Sequence, residues 1–422
     1  MEIREEPSKQ AEKIDYDLMV IGGGAAGLMA SIRAAERGLK VLLLEKNPRL
    51  GVKILMSGGT RCNITHNCDN RALIAAYGKN GQFLHSALAS WSIQDTIQFF
   101  HGEGVLTKVE ETGKIFPVSD RAVDVLAALV NRLRRTDAEI ALGEAVTDIQ
   151  PCLNGFTVST KKRSYFVRQL IVTTGGKSYP GCGTNGDGYK FLEKLGHTIV
   201  PTRPALVPIR VDLPSLASLR GVTLPHIQLQ VLENQKAIYK TRNSLLFAHF
   251  GLSGPAALDA SKAISRHANP ERLQIELDYL PSISIEEYQS RIQKLTSQEG
   301  RKLLAVVFSQ VLPRSLVESL MTQIDLPLDR KTAGLTKLER EKWVQIVKHH
   351  RIRVLGTLGF EKAEVTSGGI SLLEVDSKTM QSKIVPGLFI AGEILDLDGP
   401  IGGYNFQIAW STGYLAGNSA GK

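Results

Sequence analysis

Asp17-Leu-Met-Val-Ile-Gly-Gly-Gly-Ala-Ala-Gly27, running on through Leu28–Arg37 and Gly38 to Lys40-Val-Leu-Leu-Leu-Glu45, decides the fold of this 422-residue chain. Asp17–Ile21 is a short continuous apolar run ending in glycines, as in a strand buried on both faces of a parallel sheet. Ala25–Arg37 carries helix formers and small residues, and Gly38 stands where a helix-ending glycine belongs. Lys40–Glu45 is a second buried strand. Strand, tight turn, helix and strand within about 30 residues make the right-handed parallel crossover of an open α/β sheet.

The turn itself carries chemistry. Gly22, Gly24 and Gly27 stand in GxGxxG spacing at the strand-to-helix junction. The first glycine permits the turn, the second lets backbone approach a pyrophosphate, and the third packs helix against strand. The helix opening at Ala25 and Ala26 offers its positive end to the two phosphates. Glu45 ends the second strand roughly 20 residues on, where a carboxylate accepts hydrogen bonds from an adenosine ribose. A dinucleotide is expected here.

The far end of the chain chooses which one. Leu388-Phe-Ile-Ala-Gly392 reads as a buried strand with Glu393 at its tip, followed by Gly402-Gly403 and a helix over about 405–416. A carboxylate at that tip suits ribityl hydroxyls, which FAD has and NAD lacks. The amides near Asn405, Phe406 and Gln407 are expected to face the pyrimidine edge of the flavin, where negative charge builds on reduction.

Outward from these two ends the texture changes. Ser92–His101 and Ala122–Arg134 read as helices, and Tyr165–Thr173 as a strand arriving at Thr174, Gly175 and Gly176. Residues from about 200 to 282 alternate β-branched and polar side chains, as in an antiparallel sheet or barrel. Residues 284–350 read as short helices, opening with a capping box at Ser284-Ile-Glu-Glu287. The expected division is a leader over 1–14, a dinucleotide domain over 15–195 and 356–422, a β-rich insert over 196–283 and a helical insert over 284–355.

Bulk properties exclude some classes. No uninterrupted apolar run reaches the roughly 18–20 residues that span a bilayer, so no membrane role is expected. Cys62, Cys68, Cys152 and Cys182 form no metal-binding spacing and no disulfide framework. Reduced thiols in a cytoplasm fit them. The formal charge of +9 has two readings, a generally basic surface or an anionic partner such as structured RNA. Basic residues gather over 301–353: Arg301, Lys302, Arg314, Arg330, Lys331, Lys337, Arg340, Lys342, Lys348, Arg351 and Arg353.

Several stretches together carry a resemblance. They are Val20–Gly27, Lys53-Ile-Leu-Met-Ser-Gly-Gly-Thr-Arg-Cys-Asn63, Thr174-Gly-Gly-Lys-Ser-Tyr-Pro-Gly181 with Gly186-Asp-Gly188, His249-Phe-Gly-Leu-Ser-Gly-Pro255, Val365-Thr-Ser-Gly-Gly-Ile370 and Gly387-Leu-Phe-Ile-Ala-Gly-Glu393. In these the chain resembles the HI0933-like flavoproteins, the aminoacetone oxidase or BaiN-type NAD(P)/FAD-dependent oxidoreductases, nearly end to end. The resemblance implies an α/β fold: a Rossmann-like, glutathione-reductase-like FAD domain interrupted by a β-barrel-like part and a small helical part. It implies FAD contacts from Gly22, Gly24, Ala25, Ala26, Gly27, Glu45 and Lys46, then from Lys53, Ser57, Gly58, Gly59, Arg61, Cys62 and Asn63. Ala145, Val146, Thr174, Gly175, Gly176, Gly392, Glu393, Gly403, Asn405, Phe406 and Gln407 complete the set. The family usually has glycine where this chain has Thr60. Fumarate-reductase-like flavoproteins place a histidine before a similar glycine pair, where this chain has Thr366 and Ser367.

Arg61, Cys62 and Asn63 fall near the flavin ring by similarity and are the candidates for catalysis. Cys62 lacks the closely spaced partner of disulfide-reducing flavoenzymes, so a packed or ring-adjacent thiol is expected. Arg61 has two roles open to it, an anion site or a structural ion pair. His249, as a lone histidine, is expected to be structural. The leading expectation is an FAD-dependent oxidoreductase moving hydride through flavin N5, to or from a small organic substrate. With no second dinucleotide fingerprint, NADH or NADPH would bind transiently as donor. The alternatives are dihydrouridine formation in ribosomal RNA, or a flavin-bound interaction protein without turnover.

Overall fold

A computed structural model describes residues 14–422. The leader expected over 1–14 lies, Ile14 apart, outside the described residues. The chain divides into two compact units, one of residues up to 202 and from 366 onward, the other of residues 203–365.

The first unit is built on β1 (Tyr16–Ile21), α1 (Ala25–Glu36) and β2 (Val41–Glu45). Leu18, Met19, Val20, Val41 and Leu43 are completely buried, as the uninterrupted apolar runs require; each such side chain withdrawn from water is worth ~1.5–3 kcal/mol. β1 pairs in parallel with β2 and with Ser164–Val172, which in turn pairs in parallel with Leu388–Ile390. Glu139–Leu142 extends the parallel sheet beyond β2, and the antiparallel strands Gly155–Thr160 and Val146–Cys152 extend the other side. The tips of β1, β2, Ser164–Val172 and Leu388–Ile390 therefore lie along one edge, and the loops that follow them carry the expected cofactor residues. The C-terminal helix Tyr404–Ser419 packs on α1. Gly413 and Gly417 allow that approach, since a Cβ at either would lie 2.3 Å from an α1 carbonyl oxygen, of Ala26 and Ala30 respectively.

In the second unit six strands close a barrel in the order Ile209–Asp212, Gly251–Ser253, Lys236–Ala248, Thr223–Glu233, Gln274–Asp278 and His350–Thr357. His350–Thr357 differs from the sequence expectation, which ended a helical insert there. It pairs antiparallel with both Ile209–Asp212 and Gln274–Asp278, so the barrel closes only after the helices. Those helices, Ile285–Gln298, Leu304–Phe308, Arg314–Gln323 and Lys337–Lys348, form a cluster in which Phe308 stacks on Trp343 at 4.0 Å. Ser284 caps the first of them by accepting from Glu287 N, while the full reciprocal boxes are Ser92/Asp95 and Thr336/Glu339. Among the described residues no helix is long and apolar enough to cross a membrane.

Candidate functional site

The glycine turn after β1 has the shape its spacing demands. Gly22 has φ +105°, and a Cβ on it would lie 2.6 Å from Thr173 O. A Cβ on Gly27 would meet Gly22 O at 1.8 Å. Gly24 is the opposite case: it caps α1 in an extended conformation, and nothing lies within 4 Å of where its Cβ would be. The first intrahelical bond runs from Leu28 N to Gly24 O, so the amides of Ala25, Ala26 and Gly27 have no acceptor within the helix. An open glycine in front of unpaired helix amides is a fit for a pyrophosphate.

Glu45 is 8 % exposed, with Oε2 accepting from Gly23 N at 2.7 Å and Oε1 from Asn47 N at 2.8 Å. These bonds fix the carboxylate and leave acceptor capacity on each oxygen for ribose hydroxyls. Glu144 N donates to Glu45 O at 3.1 Å, which sets exposed Ala145 and half-buried Val146 beside the β2 tip. Lys46 lies on the same edge, but its ammonium is engaged by Asn185 Oδ1 at 2.8 Å and Asp187 Oδ2 at 2.7 Å.

A second carboxylate organises the other end. Glu393 Oε1 accepts from Ser178 Oγ at 2.6 Å and Thr366 N at 2.9 Å, and Oε2 from Lys53 Nζ at 2.5 Å. Thr366 Oγ1 accepts from the amides of Lys177 and Ser178 at 2.8 and 3.0 Å. Lys53, expected as a cofactor contact, is thus the counter-ion of Glu393. Gly176 runs alongside, where a Cβ would lie 2.2 Å from Thr366 Oγ1, while Gly175 turns with φ +72° and Thr174 Oγ1 is buried without a partner. Gly392 touches α1, with a Cβ there 2.8 Å from Ala26 Cβ.

The loop Ser57–Asn63 is a run of unusual backbone. Gly58, Gly59, Thr60 and Cys62 all have positive φ, from +56° to +71°. Ser57 Oγ donates to Ile54 O, and Cys62 N to Ser57 O, which closes the loop on itself. Cys62 is completely buried, and that burial pushes its thiol up to about 12, opposed only by Ser57. It is a packed thiol with no redox partner; all four cysteines are free. Arg61 resolves toward the ion-pair role: Nη1 lies 2.7 Å from Glu110 Oε1 and 3.5 Å from Asp120 Oδ1, and the guanidinium sits 4.0 Å over the Phe116 ring. Lys108, bonded to Asp120, balances the cluster and holds the Asp120 carboxyl low.

Asn63 is nearly buried and its Oδ1 has no partner. It lies against the head of the C-terminal helix, where a Cβ on Gly403 would be 2.8 Å from that oxygen. Asn405 and Phe406 open the helix, but Gln407 must be corrected. Its amide donates to Gly403 O at 3.0 Å, and its side chain is consumed by Thr65 Oγ1 at 2.7 Å and Ser411 Oγ at 3.0 Å. A helix leaves free only the amides ahead of its first i→i−4 bond, and Gln407 makes that bond. The Asn405 side chain is likewise spent on Gly399 N and O. Its backbone remains.

The sequence reading passed over two residues here. His66 Nδ1 lies 2.9 Å from Gly402 O, and its ring stacks on Tyr404 with centroids 4.5 Å apart and planes at 24°. The available signal was position: Tyr404 directly follows the glycine pair. His249, by contrast, is exposed at a hairpin tip with its ring against Phe250.

The sequence matches the HI0933-like protein Rossmann domain family over residues 16–419. The chain belongs to the HI0933-like family. This HI0933-like protein is an FAD-dependent oxidoreductase, and the cradle just described fits that cofactor. Curated relatives cover nearly its whole length. It is 33% identical to the ribosomal RNA dihydrouridine synthase of Escherichia coli (strain K12), over 94% of this chain and 96% of the relative. It is 29% identical to the 3-dehydro-bile acid delta(4,6)-reductase of Clostridium scindens, over 96% of this chain and 98% of the relative. Among solved structures, the 3-ketosteroid-delta4-(5alpha)-dehydrogenase of Rhodococcus jostii RHA1 covers 100% of both chains with a TM-score of 0.54 at 16% identity, a likeness of fold.

Proposed function

We propose that this HI0933-like protein reduces a carbon–carbon double bond conjugated to a carbonyl in a small organic substrate, with NADH or NADPH binding transiently as electron donor. The full-length relatives are named as ribosomal RNA dihydrouridine synthases and a 3-dehydro-bile acid delta(4,6)-reductase, names that fit addition of hydrogen across such a bond. Bound FAD supplies hydride transfer through N5. The protein's share is grip and polarity. The amides of Ala25, Ala26 and Gly27 hold the pyrophosphate, Glu45 takes the adenosine ribose, Glu393 with Lys53 takes the ribityl chain, and the backbone of Asn405 and Phe406 faces the pyrimidine edge. A partial positive charge at a helix head favours the anionic form of a reduced ring by ~0.3–1 kcal/mol or more when desolvated. The observation that carries this reading is the helix head at Gly403 set against Asn63, with the Cys62 thiol of the neighbouring loop sealed away from redox work. With its four thiols reduced, the protein suits the cytoplasm.

A second reading, uridine reduction in ribosomal RNA, is favoured by the 33% identity to two dihydrouridine synthases. The basic 301–353 region supports it less than its composition suggests. Arg314, Arg330, Lys348 and Arg351 are paired with Glu318, Glu339, Asp278 and Glu276, and only Arg301, Lys331, Arg340 and Lys342 lack such partners among the described residues. Anaerobic mixing of the FAD-loaded protein with NADH and NADPH tests the common step, because rapid bleaching of the oxidised-flavin band is expected with one of them. Bleaching with neither argues for an oxidase or for no turnover. Mass mapping of dihydrouridine in ribosomal RNA from a deletion strain separates the substrates: an unchanged pattern ends the RNA reading.

A further inference from the structure

An ionised carboxylate offers about four acceptor sites, two on each oxygen, and the sites that protein donors leave open decide what it can hold. On Glu45 one backbone amide binds each oxygen, so both oxygens stay open together, which suits the adjacent hydroxyls of a ribose. Glu393 is filled differently. Oε1 accepts from Ser178 Oγ at 2.6 Å and from Thr366 N at 2.9 Å, while Oε2 accepts from Lys53 Nζ at 2.5 Å. Oε1 is therefore full, and Oε2 keeps one site. The Glu393 side chain is still 19% exposed, gripped without being sealed. Gly392, the residue before it, touches α1, where a Cβ would lie 2.8 Å from Ala26 Cβ. Glu393 thus follows directly on the contact with the helix end assigned to the pyrophosphate, and the ribityl chain is the part of FAD joined to that pyrophosphate on the flavin side.

The donors on Oε1 are themselves held. Thr366 and Ser178 are completely buried, and Thr366 lies in Val365–Ile370, a strand with every residue buried. Thr366 Oγ1 accepts from the amides of Lys177 and Ser178 at 2.8 and 3.0 Å, while its own amide donates to Glu393. One side chain thus fixes the peptide that carries Ser178, and the same residue's backbone fixes the carboxylate. Lys53 closes the ring by donating to Ser178 Oγ at 2.7 Å as well as to Glu393. Gly176 shows how tightly the ring is drawn, since a Cβ there would lie 2.2 Å from Thr366 Oγ1 and 3.0 Å from Glu393 Oε1.

We propose that Thr366 and Ser178 are positioning residues for the cofactor: they saturate Oε1 of Glu393 and so aim the remaining acceptor site, on Oε2, at a single hydroxyl of the ribityl chain. The assignment rests on Glu393 as the ribityl ligand and is independent of the substrate that the flavin reduces. Thr366→Val keeps the side chain's shape but removes the acceptor for two buried amides, which frees Ser178 to turn away. Ser178→Ala removes one donor from Oε1 directly. Either change weakens the ribityl arm and leaves the adenosine arm, held at Glu45 and the amides of α1, as it was.

The test compares two probes on the full-length apo protein, FAD by flavin fluorescence quenching and ADP, which lacks the ribityl arm, by calorimetry. Thr366→Val and Ser178→Ala are each expected to raise the Kd for FAD about tenfold and to leave the Kd for ADP at the wild-type value. Thr366→Ser, which restores the hydroxyl, should bind FAD as wild type does. Thr366→Val added to Glu393→Gln should cost no further affinity, because a residue that acts only through Glu393 then has nothing left to act on. Wild-type FAD affinity in Thr366→Val and Ser178→Ala, beside a loss in Glu393→Gln, overturns the assignment alone. Equal loss of FAD and ADP, or an additive loss in the double variant, also overturns it by showing a general structural role. Glu393→Gln that binds FAD like wild type overturns the ribityl reading and the assignment with it.

Discussion

Gly24→Ala separates the fold of the glycine turn from its function. Gly24 has φ −84° and ψ −165°, a conformation open to any L residue, and an added Cβ meets no atom within 4 Å. Alanine is a poorer helix cap than glycine, but it also reduces the freedom of the unfolded chain, so the two effects oppose and apo stability should move by less than ~1 kcal/mol. The methyl group instead projects into the space in front of the amides of Ala25, Ala26 and Gly27. Displacing the pyrophosphate there by a methyl's width removes one charge-assisted hydrogen bond, ~1.5–3 kcal/mol, which corresponds to about a tenfold to hundredfold weaker FAD affinity. Titration of apo protein with FAD, followed by quenching of flavin fluorescence, reads the affinity, and a urea transition of the apo protein reads the stability. Gly27→Ala is the contrast: its Cβ would lie 1.8 Å from Gly22 O and 2.6 Å from Thr173 Oγ1, so it should lose stability outright. A Gly24→Ala protein that binds FAD like wild type would refute the placement of the phosphates.

Three further outcomes follow from the same structure. Thr60 is β-branched yet held at φ +71°, so Thr60→Gly should raise stability by ~1 kcal/mol in a urea transition by relieving that backbone strain. Alkylation of the native protein followed by mass spectrometry should modify exposed Cys152 and leave Cys62 untouched until the protein unfolds, since Cys62 is buried with its thiol pushed up to about 12. His350 is buried between Tyr279 OH at 2.6 Å and Gln323 Oε1 at 3.0 Å, and burial lowers it from 6.5 to about 4. The folded form prefers the neutral ring, so its contribution is whole above about pH 6.5 and drains away as pH falls toward 4, a loss of ~3 kcal/mol. Stability of wild type should fall more steeply over that window than that of His350→Gln.

What the sequence disclosed was what local chemistry controls. The β1–α1–β2 unit was legible because two largely apolar runs flank a glycine turn in which Gly22 holds a left-handed conformation and Gly27 has no room for a Cβ, and the observed strands and helix start within a residue of their expected places. The barrel was foreshadowed by alternation, but its closing strand was not. His350–Thr357 follows some 70 residues of helix and loop, and only its long-range pairing with Ile209–Asp212 and Gln274–Asp278 reveals it. The site divided along the same line. Glycines and backbone amides were placed by spacing, whereas the partners of charged side chains were not. That Lys53 serves Glu393, that Lys46 serves Asp187 and that Arg61 serves Glu110 are contacts across 340, 141 and 49 residues of chain. No periodicity encodes such distances. Gln407 shows the limit at finest grain: a shift of one residue in a helix start decides whether an amide is offered or spent.

The most direct measurement is the flavin content of the purified protein, by absorbance of the native chain and of the cofactor released on denaturation. One non-covalent FAD per chain is expected, taken up again by apo protein from free FAD. A colourless protein that stays colourless in excess FAD would contradict it.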